Sequence, residues 1–272
     1  MNLKKQAIQG LSWSFLIQFG VQAINFIFSI ILARILIPAD FGLIGMIGIF
    51  VIVGKSLVDG GMSSSLIRTK NPNQADYSTV FYMNLIVSFS IYFVLYFLAP
   101  HIADFFDQDK LINIIRVLCT VFIIDAFSTV QSTRLNKSLK FKTQFVLIMP
   151  ALIISCSLGV WMAYNGFGVW SLVWKDLTFA VIATVQLWIY SKWVPSLVFD
   201  KVKLKYHFSF GYKLTLSNMI NRVFENIYYV IIGKYFSASQ LGFYSRAKTL
   251  QELPTNYLFL GFNRVSFPLL SK

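Results

Sequence analysis

The sequence predicts an all-α integral membrane protein with a six-helix N-terminal lobe, followed by the first two helices of a second lobe that repeats the first. Three observations predict it. The 272 residues are 56% hydrophobic and 13% charged, with a mean hydropathy of +0.64; soluble domains average about 45–50% apolar and about 25% charged. The apolar residues gather into runs of about 20 or more, the length of a spanning helix and well beyond the roughly 9–11 residues of a barrel strand. The segment that opens the chain also recurs, in pattern, 200 residues later.

Eight runs are long enough to span a bilayer: 11–36, 42–66, 78–99, 111–133, 144–164, 167–190, 209–235 and 241–261. Pro38, Pro72, Pro100, Gly166 and Pro195 fall in or beside the connections, where such residues interrupt helices. The first run is too long for a signal-peptide core and lacks a small-residue cleavage site, so it reads as a retained span. Residues 1–200 form the first lobe and 201–272 an incomplete second one.

The charge is lopsided: 24 Lys and Arg against 11 Asp and Glu, a net +13. In a soluble chain that excess would suggest nucleic acid. Here it is confined to short connections, and no nucleic-acid partner is expected. One alternating set of connections carries Lys4 and Lys5; Arg68 and Lys70; Arg134, Lys137, Lys140 and Lys142; and Lys192, Lys201, Lys203 and Lys205. The other set carries only Arg34, Lys110 and Lys234. Twelve against three places the N-terminus in the cytoplasm. The basic loops either set topology against anionic lipid head groups or bind a specific ligand.

A shift of 200 residues overlays Leu11–Gly42 on Gly211–Gly242. Only Leu16/Leu216, Ile27/Ile227, Ile31/Ile231 and Gly42/Gly242 are identical. The shared pattern is a long helix, a basic residue near its end (Arg34, Lys234), a short turn, and an aromatic or Leu followed by Gly (Phe41-Gly42, Leu241-Gly242). Six spans separate the copies, so the repeat is parallel, as in carriers built from two six-helix halves. Only two helices of the second half are present, and a complete carrier of this kind would have about 400 residues or more.

Polar residues inside the spans are the candidate site, because a central charge costs roughly 2.5–3.5 kcal/mol in lipid. Span one carries Ser14, Gln18, Gln22, Asn25 and Ser29 on one helical face. The shifted positions give Gln18/Asn218, Gln22/Arg222 and Asn25/Glu225, a polar wall on each half that faces a cavity or bonds between helices. Arg222 and Glu225 can pair at i, i+3, and Lys55 and Asp59 at i, i+4 with Ser63 beyond. Asp125 shares a face with Ser128 and Ser132 in span four. Lys175 and Asp176 are adjacent in span six, about 100° apart around the helix.

Cys119 and Cys156 lie in apolar runs without a paired spacing, and His101 and His207 have no evident partners, so neither metal nor cofactor is expected. The 27 Phe, 13 Tyr and 6 Trp fit an interfacial belt, with a few available to stack on sugar rings. No phosphate-binding G-x-x-x-x-G-K-[ST] loop is present.

Several segments carry a family resemblance: GLSWSFLIQFGVQ, LARILIPADFGLIGM and GMSSSLIRTK near the start, RLNKSLKFKTQ after span four, GFGVWSLV opening span six, and FGYKLTLSNMINRVFENIYYVIIGKYFSASQLGFYSRA in the second half. The chain resembles the polysaccharide (O-antigen) exporters of the multidrug/oligosaccharidyl-lipid/polysaccharide flippase superfamily, most of all the colanic-acid type. The resemblance implies a 12- to 14-helix, two-lobed flippase of the bacterial inner membrane. It implies alternating access and transfer of an undecaprenyl-diphosphate-linked oligosaccharide from the cytoplasmic to the periplasmic leaflet. Membrane lipids and polysaccharide-assembly proteins are its expected partners.

For such a substrate Lys55 and Arg222 are the candidate phosphate contacts, with Gln18, Gln22, Asn25 and Asn218 lining the cavity. Asp59, Asp125 and Glu225 are the candidate coupling carboxylates. Two other functions remain open: a cation-coupled multidrug exporter of the same superfamily, which favours an acidic cavity, and a membrane-embedded glycan polymerase or acyltransferase, which needs a reactive cluster.

Overall fold

A computed structural model describes residues 20–251, and every regular element among them is a helix. They run α1 (Gly20–Ile35), α2 (Pro38–Asp59), α3 (Met62–Arg68), α4 (Gln74–Phe106), α5 (Lys110–Leu118), α6 (Val121–Lys137), α7 (Phe141–Tyr164), α8 (Val169–Ser191), α9 (Lys201–Tyr235) and α10 (238–251). Among the described residues five stretches are long and apolar enough to cross a membrane: Pro38–Arg68, Gln74–Phe106, Lys110–Lys137, Phe141–Tyr164 and Val169–Ser191. They correspond to predicted spans two to six, and the chain is a multi-pass membrane protein.

Predicted spans two and four are each broken. Gly60 (φ +52°) and Gly61 (φ +67°) turn the chain between α2 and α3 in a left-handed conformation that side chains resist. α5 gives way to α6 at Cys119–Thr120. Pro100, expected at a connection, lies inside α4, which runs on to Phe106, and Pro150 lies inside α7. Membrane helices accommodate such prolines by local adjustment.

Predicted span seven differs most. α9 begins eight residues earlier, at Lys201, because Asp200 caps it by accepting from the Val202 and Lys203 amides at 2.8 and 3.2 Å. Its length suffices to span, but Asn218, Arg222 and Glu225 dilute its apolar character, and it is not among the five apolar stretches.

The repeat is visible in the backbone. α1 ends at Ile35 and α9 at Tyr235; α2 begins at Pro38 and α10 at 238. The Leu36 amide bonds to the Leu32 carbonyl at 2.8 Å and the Phe236 amide to the Ile232 carbonyl at 3.0 Å. The two hairpins then meet. A Cβ on Gly42 would fall 1.8 Å from the Ala238 carbonyl oxygen, and a Cβ on Gly242 would fall 1.8 Å from the Pro38 carbonyl oxygen. Only glycine lets backbones approach this closely, and small residues are how membrane helices pack when lipid is as apolar as leucine.

The largest core cluster lies among α2, α4, α5, α6 and α8, with Ile47, Ile114, Phe122 and Val173 nearly inaccessible, and it reaches Leu241 of α10. Gly54 of α2 receives the Phe122 ring, whose Cζ is 2.5 Å from where a Cβ would stand.

The three basic connections among the described residues pack against one another. Lys137 donates to the Leu66 and Ile67 carbonyls at 3.0 and 2.9 Å and also to that of Thr69, closing the C-terminal end of α3. Arg134 reaches Ser191, and Lys203 reaches Asn73 and Asp76. The segment joining α8 to α9 is pinned to the first turns of α4. Trp193 donates to the Gln74 side chain at 2.7 Å, and the Ser196 and Asp200 amides donate to the Ser78 and Thr79 hydroxyls at 2.9 and 3.0 Å.

Candidate functional site

α2 is the spine of the site, with three clefts arranged along it. The first, about 260 Å³, lies where α1, α2, α7, α8, α9 and α10 converge, at the junction of the two repeated hairpins. Asn25 and Ser29 of α1 enter it as the sequence predicts. Arg246 of α10 lies across it, donating to the Ser29 hydroxyl at 2.9 Å with its guanidinium 4.0 Å from the Phe41 ring centre. Arg246 has no carboxylate partner among the described residues, and its Nε is buried without a hydrogen-bond acceptor. A buried cationic donor left unsatisfied is costly, and an anionic ligand would satisfy it.

Lys175 and Asp176 line the same cleft and form an ion pair at 3.1 Å. Their 100° separation around the helix predicts different directions; the four-carbon lysine stem bends far enough to close the gap. The pair is self-neutralising, so Arg246 leaves this cleft with a net positive charge.

The second cleft, about 300 Å³, lies between α2–α3 and α6. It brings Lys55, Asp59 and Asp125 together, as well as Ser63, Ser128 and Ser132. The expected Lys55–Asp59 pair is not formed. Lys55 instead bonds Asp125 across the helix interface at 2.9 Å. The two partners sit on facing helices, so their charges meet head-on, whereas an i, i+4 pair must lie along the surface of one helix. Asp59 has no ion-pair partner among the described residues.

The third cleft, about 470 Å³, is an apolar groove between α2, α4 and α9, lined by residues such as Val53, Leu57, Val94 and Val230. Ile49 borders both this groove and the Arg246 cleft.

The remaining predicted residues stand apart from the two polar clefts. Gln22 is half-buried on α1 and lines neither. Asn218, Arg222 and Glu225 are exposed along α9, and the expected Arg222–Glu225 pair is long, at 3.8 Å. Gln18 lies outside the described residues. Arg246 is the residue sequence reasoning passed over. The signal was a charge inside the apolar run 241–261, the same criterion that singles out Lys55 and Arg222.

His207 has partners after all. It is fully buried, with Nδ1 2.8 Å from the Ser65 hydroxyl and Nε2 3.2 Å from Asp76, whose other oxygen takes Lys203 at 2.8 Å. A Ser–His–carboxylate chain invites a catalytic reading, but Ser65 is itself only 3% exposed, and a nucleophile must reach its substrate. The cluster ties α3, the start of α4 and the start of α9 into one unit. Burial pushes the His207 imidazole below its ordinary range against the opposing pull of Asp76. Among the described residues no group of His, Cys, Asp and Glu could hold a metal ion.

Residues 31–272 match the family model described as "Polysaccharide biosynthesis protein". The chain is 25% identical over its whole length to the teichuronic acid biosynthesis protein TuaB of Bacillus subtilis, covering 56% of that protein. It is 25% identical over 97% of its length to the succinoglycan biosynthesis transport protein ExoT of Rhizobium meliloti, covering 53% of it. It is 21% identical over its whole length to the lipopolysaccharide biosynthesis protein WzxC of Escherichia coli, covering 56%. The chain thus spans just over half the length of these relatives. No solved structure matches it.

Proposed function

The chain belongs to the polysaccharide biosynthesis protein family, and from that premise we propose that it forms the first lobe and the repeat junction of a flippase for lipid-linked oligosaccharides. The flippase works in the bacterial inner membrane, with its N-terminus in the cytoplasm. It is a carrier and not an enzyme, and moves its substrate by alternating access. The relatives named for succinoglycan transport and for lipopolysaccharide and teichuronic acid biosynthesis support the substrate class.

One observation carries the reading: a cleft holding an arginine with no carboxylate partner among the described residues and a buried, unsatisfied Nε adjoins an apolar groove at Ile49, at the meeting of the two repeated hairpins. A prenyl diphosphate needs both environments side by side. Its phosphates must exchange water for charged donors, which Arg246 supplies. Its tail remains in apolar surroundings, which the groove supplies. A cationic drug would meet a positive cleft and be repelled.

The test is made in cells lacking the intact gene, by quantifying lipid-linked oligosaccharide and the leaflet that holds it. Accumulation on the cytoplasmic face, reversed by the gene, is the expected result. Normal amounts and sidedness with increased drug sensitivity would favour the multidrug exporter. Loss of the lipid-linked product would indicate an enzyme.

A further inference from the structure

The cleft between α2–α3 and α6 is chemically unlike the Arg246 cleft. All but two of its lining residues, Val58 and Phe122, are polar, at the level of apolar spans. Its charges do not suit phosphate. The Lys55 ammonium is already met by Asp125 at 2.9 Å, and Asp59 stands one helical turn from Lys55 with no ion-pair partner among the described residues. The balance is one cation against two carboxylates, which repels a diphosphate.

The hydroxyls add to this. Ser128 and Thr129 each donate to the Asp125 carbonyl, at 3.0 and 2.8 Å, and Thr133 donates to the Thr129 carbonyl at 2.8 Å while its oxygen lies 3.0 Å from the Ser63 hydroxyl. Their hydrogens are turned into the protein, leaving oxygen lone pairs for the cleft. The surface is therefore rich in acceptors, with carboxylates among them and the Lys55 ammonium as its charged donor. That pattern complements a ligand that is uncharged and carries many O–H donors together with some acceptors, which describes a sugar ring.

We propose that this cleft is the glycan subsite, holding one sugar of the lipid-linked oligosaccharide through Asp59, Thr129 and Ser132 while the diphosphate lies at Arg246. The proposal rests on the flippase reading and divides the substrate between two clefts that follow one another along α2. The Lys55–Asp125 pair cross-links α2 to α6 and fixes the width of the glycan subsite. This changes the role of Lys55 from phosphate contact to subsite wall.

The test uses the intact protein in detergent and native mass spectrometry with two probes. One is the lipid-linked oligosaccharide that accumulates in cells lacking the gene; the other is undecaprenyl diphosphate without glycan. The double variant Thr129→Val, Ser132→Ala should bind the glycosylated lipid about tenfold more weakly, the loss of one or two hydrogen bonds, and bind the bare lipid as wild type does. Thr129→Ser, which keeps the hydroxyl, should preserve wild-type discrimination and exclude a folding defect. Equal weakening for both probes, or no change for either, overturns the subsite. So does an Asp59→Asn variant that loses a sodium dependence of binding while still discriminating glycan, since the cleft would then be a cation site. If the wild-type protein binds neither lipid, the flippase reading itself fails, and that outcome is visible before any variant is made.

Discussion

Gly42 and Gly242 occupy equivalent places on the two sides of one helix crossing, each turned toward a backbone carbonyl of the other hairpin. Gly42 faces Ala238 and Gly242 faces Pro38, which are themselves 200 residues apart. The crossing is thus a local two-fold arrangement made from a sequence repeat. It also sets the floor of the Arg246 cleft, because Phe41 lies beside Gly42 and Ser245 and Arg246 lie one turn beyond Gly242.

Gly42→Ala and Gly242→Ala should each destabilise the protein, by about 1–3 kcal/mol in the usual range for overpacking. The methyl group would meet a carbonyl held in helical backbone, and the two helices would have to separate. Gly48→Ala is the control, since nothing lies within 4 Å of its Cβ position. Thermal unfolding in detergent should rank Gly48→Ala with wild type and both crossing variants below it. The double variant should lose less than the sum of its parts, because either methyl alone already opens the crossing.

The repeat, the helical class and spans two to six were legible in the sequence because they are written in periodicities and in breakers such as Pro72 and Gly166; Gly60-Gly61, which divides span two, lies inside a continuous apolar run. The pairing of charges was not. Lys55 has Asp59 four residues away and Asp125 seventy residues away, and sequence spacing favours the nearer one. Only the facing of α2 and α6 reverses that choice. His207 was illegible for the same reason: Ser65 and Asp76 reach it from other helices. Asn218, Arg222 and Glu225 matched span one in register, yet among the described residues their face of α9 is exposed.

The Lys55–Asp125 pair should show coupling in a double-mutant cycle with Lys55→Met and Asp125→Asn. Each partner is between a third and a half exposed, so the interaction should be modest, about 0.5–1 kcal/mol. Lys55→Met leaves Asp125 facing Asp59 without a cation, Asp125→Asn leaves Lys55 with only Asp59 on its own helix, and the double variant removes both members of the pair. Thermal stability should therefore recover in part in the double variant. Strict additivity would mean that the two groups do not interact.

His207 makes docking of α9 sensitive to pH. Its folded-state value lies below the unfolded one, so the buried neutral imidazole contributes stability that is complete above the unfolded value near 6.5. That stability declines as the pH falls from there toward the folded value. Protonation would place a second cation beside Lys203 and strip the Ser65 hydroxyl of its acceptor. From about pH 7.5 to about pH 5.5 the wild-type protein should lose more thermal stability than a His207→Gln variant, which has no imidazole to titrate. Equal losses would show that other groups govern the acid response.

Arg246 and Arg222 give the sharpest functional contrast. Arg222 lies on α9 and Arg246 on α10, the two helices of the second hairpin, and both are candidates for the substrate phosphates. Arg222 is 58% exposed on α9 beside Glu225, whereas Arg246 lies in the polar cleft with an unsatisfied Nε. A charge-assisted hydrogen bond contributes about 1.5–3 kcal/mol, so losing it should slow transport by roughly tenfold to a hundredfold. In the intact protein Arg246→Gln should lower transport of lipid-linked oligosaccharide by that amount at unchanged membrane abundance, and Arg246→Lys should recover only part of it, because lysine keeps the charge and loses the planar fork. Arg222→Ala should have the smaller effect on transport per molecule. A larger loss for Arg222 would move the phosphate contact to the exposed face of α9, and a parallel fall of transport and abundance in Arg246→Gln would make Arg246 a packing residue.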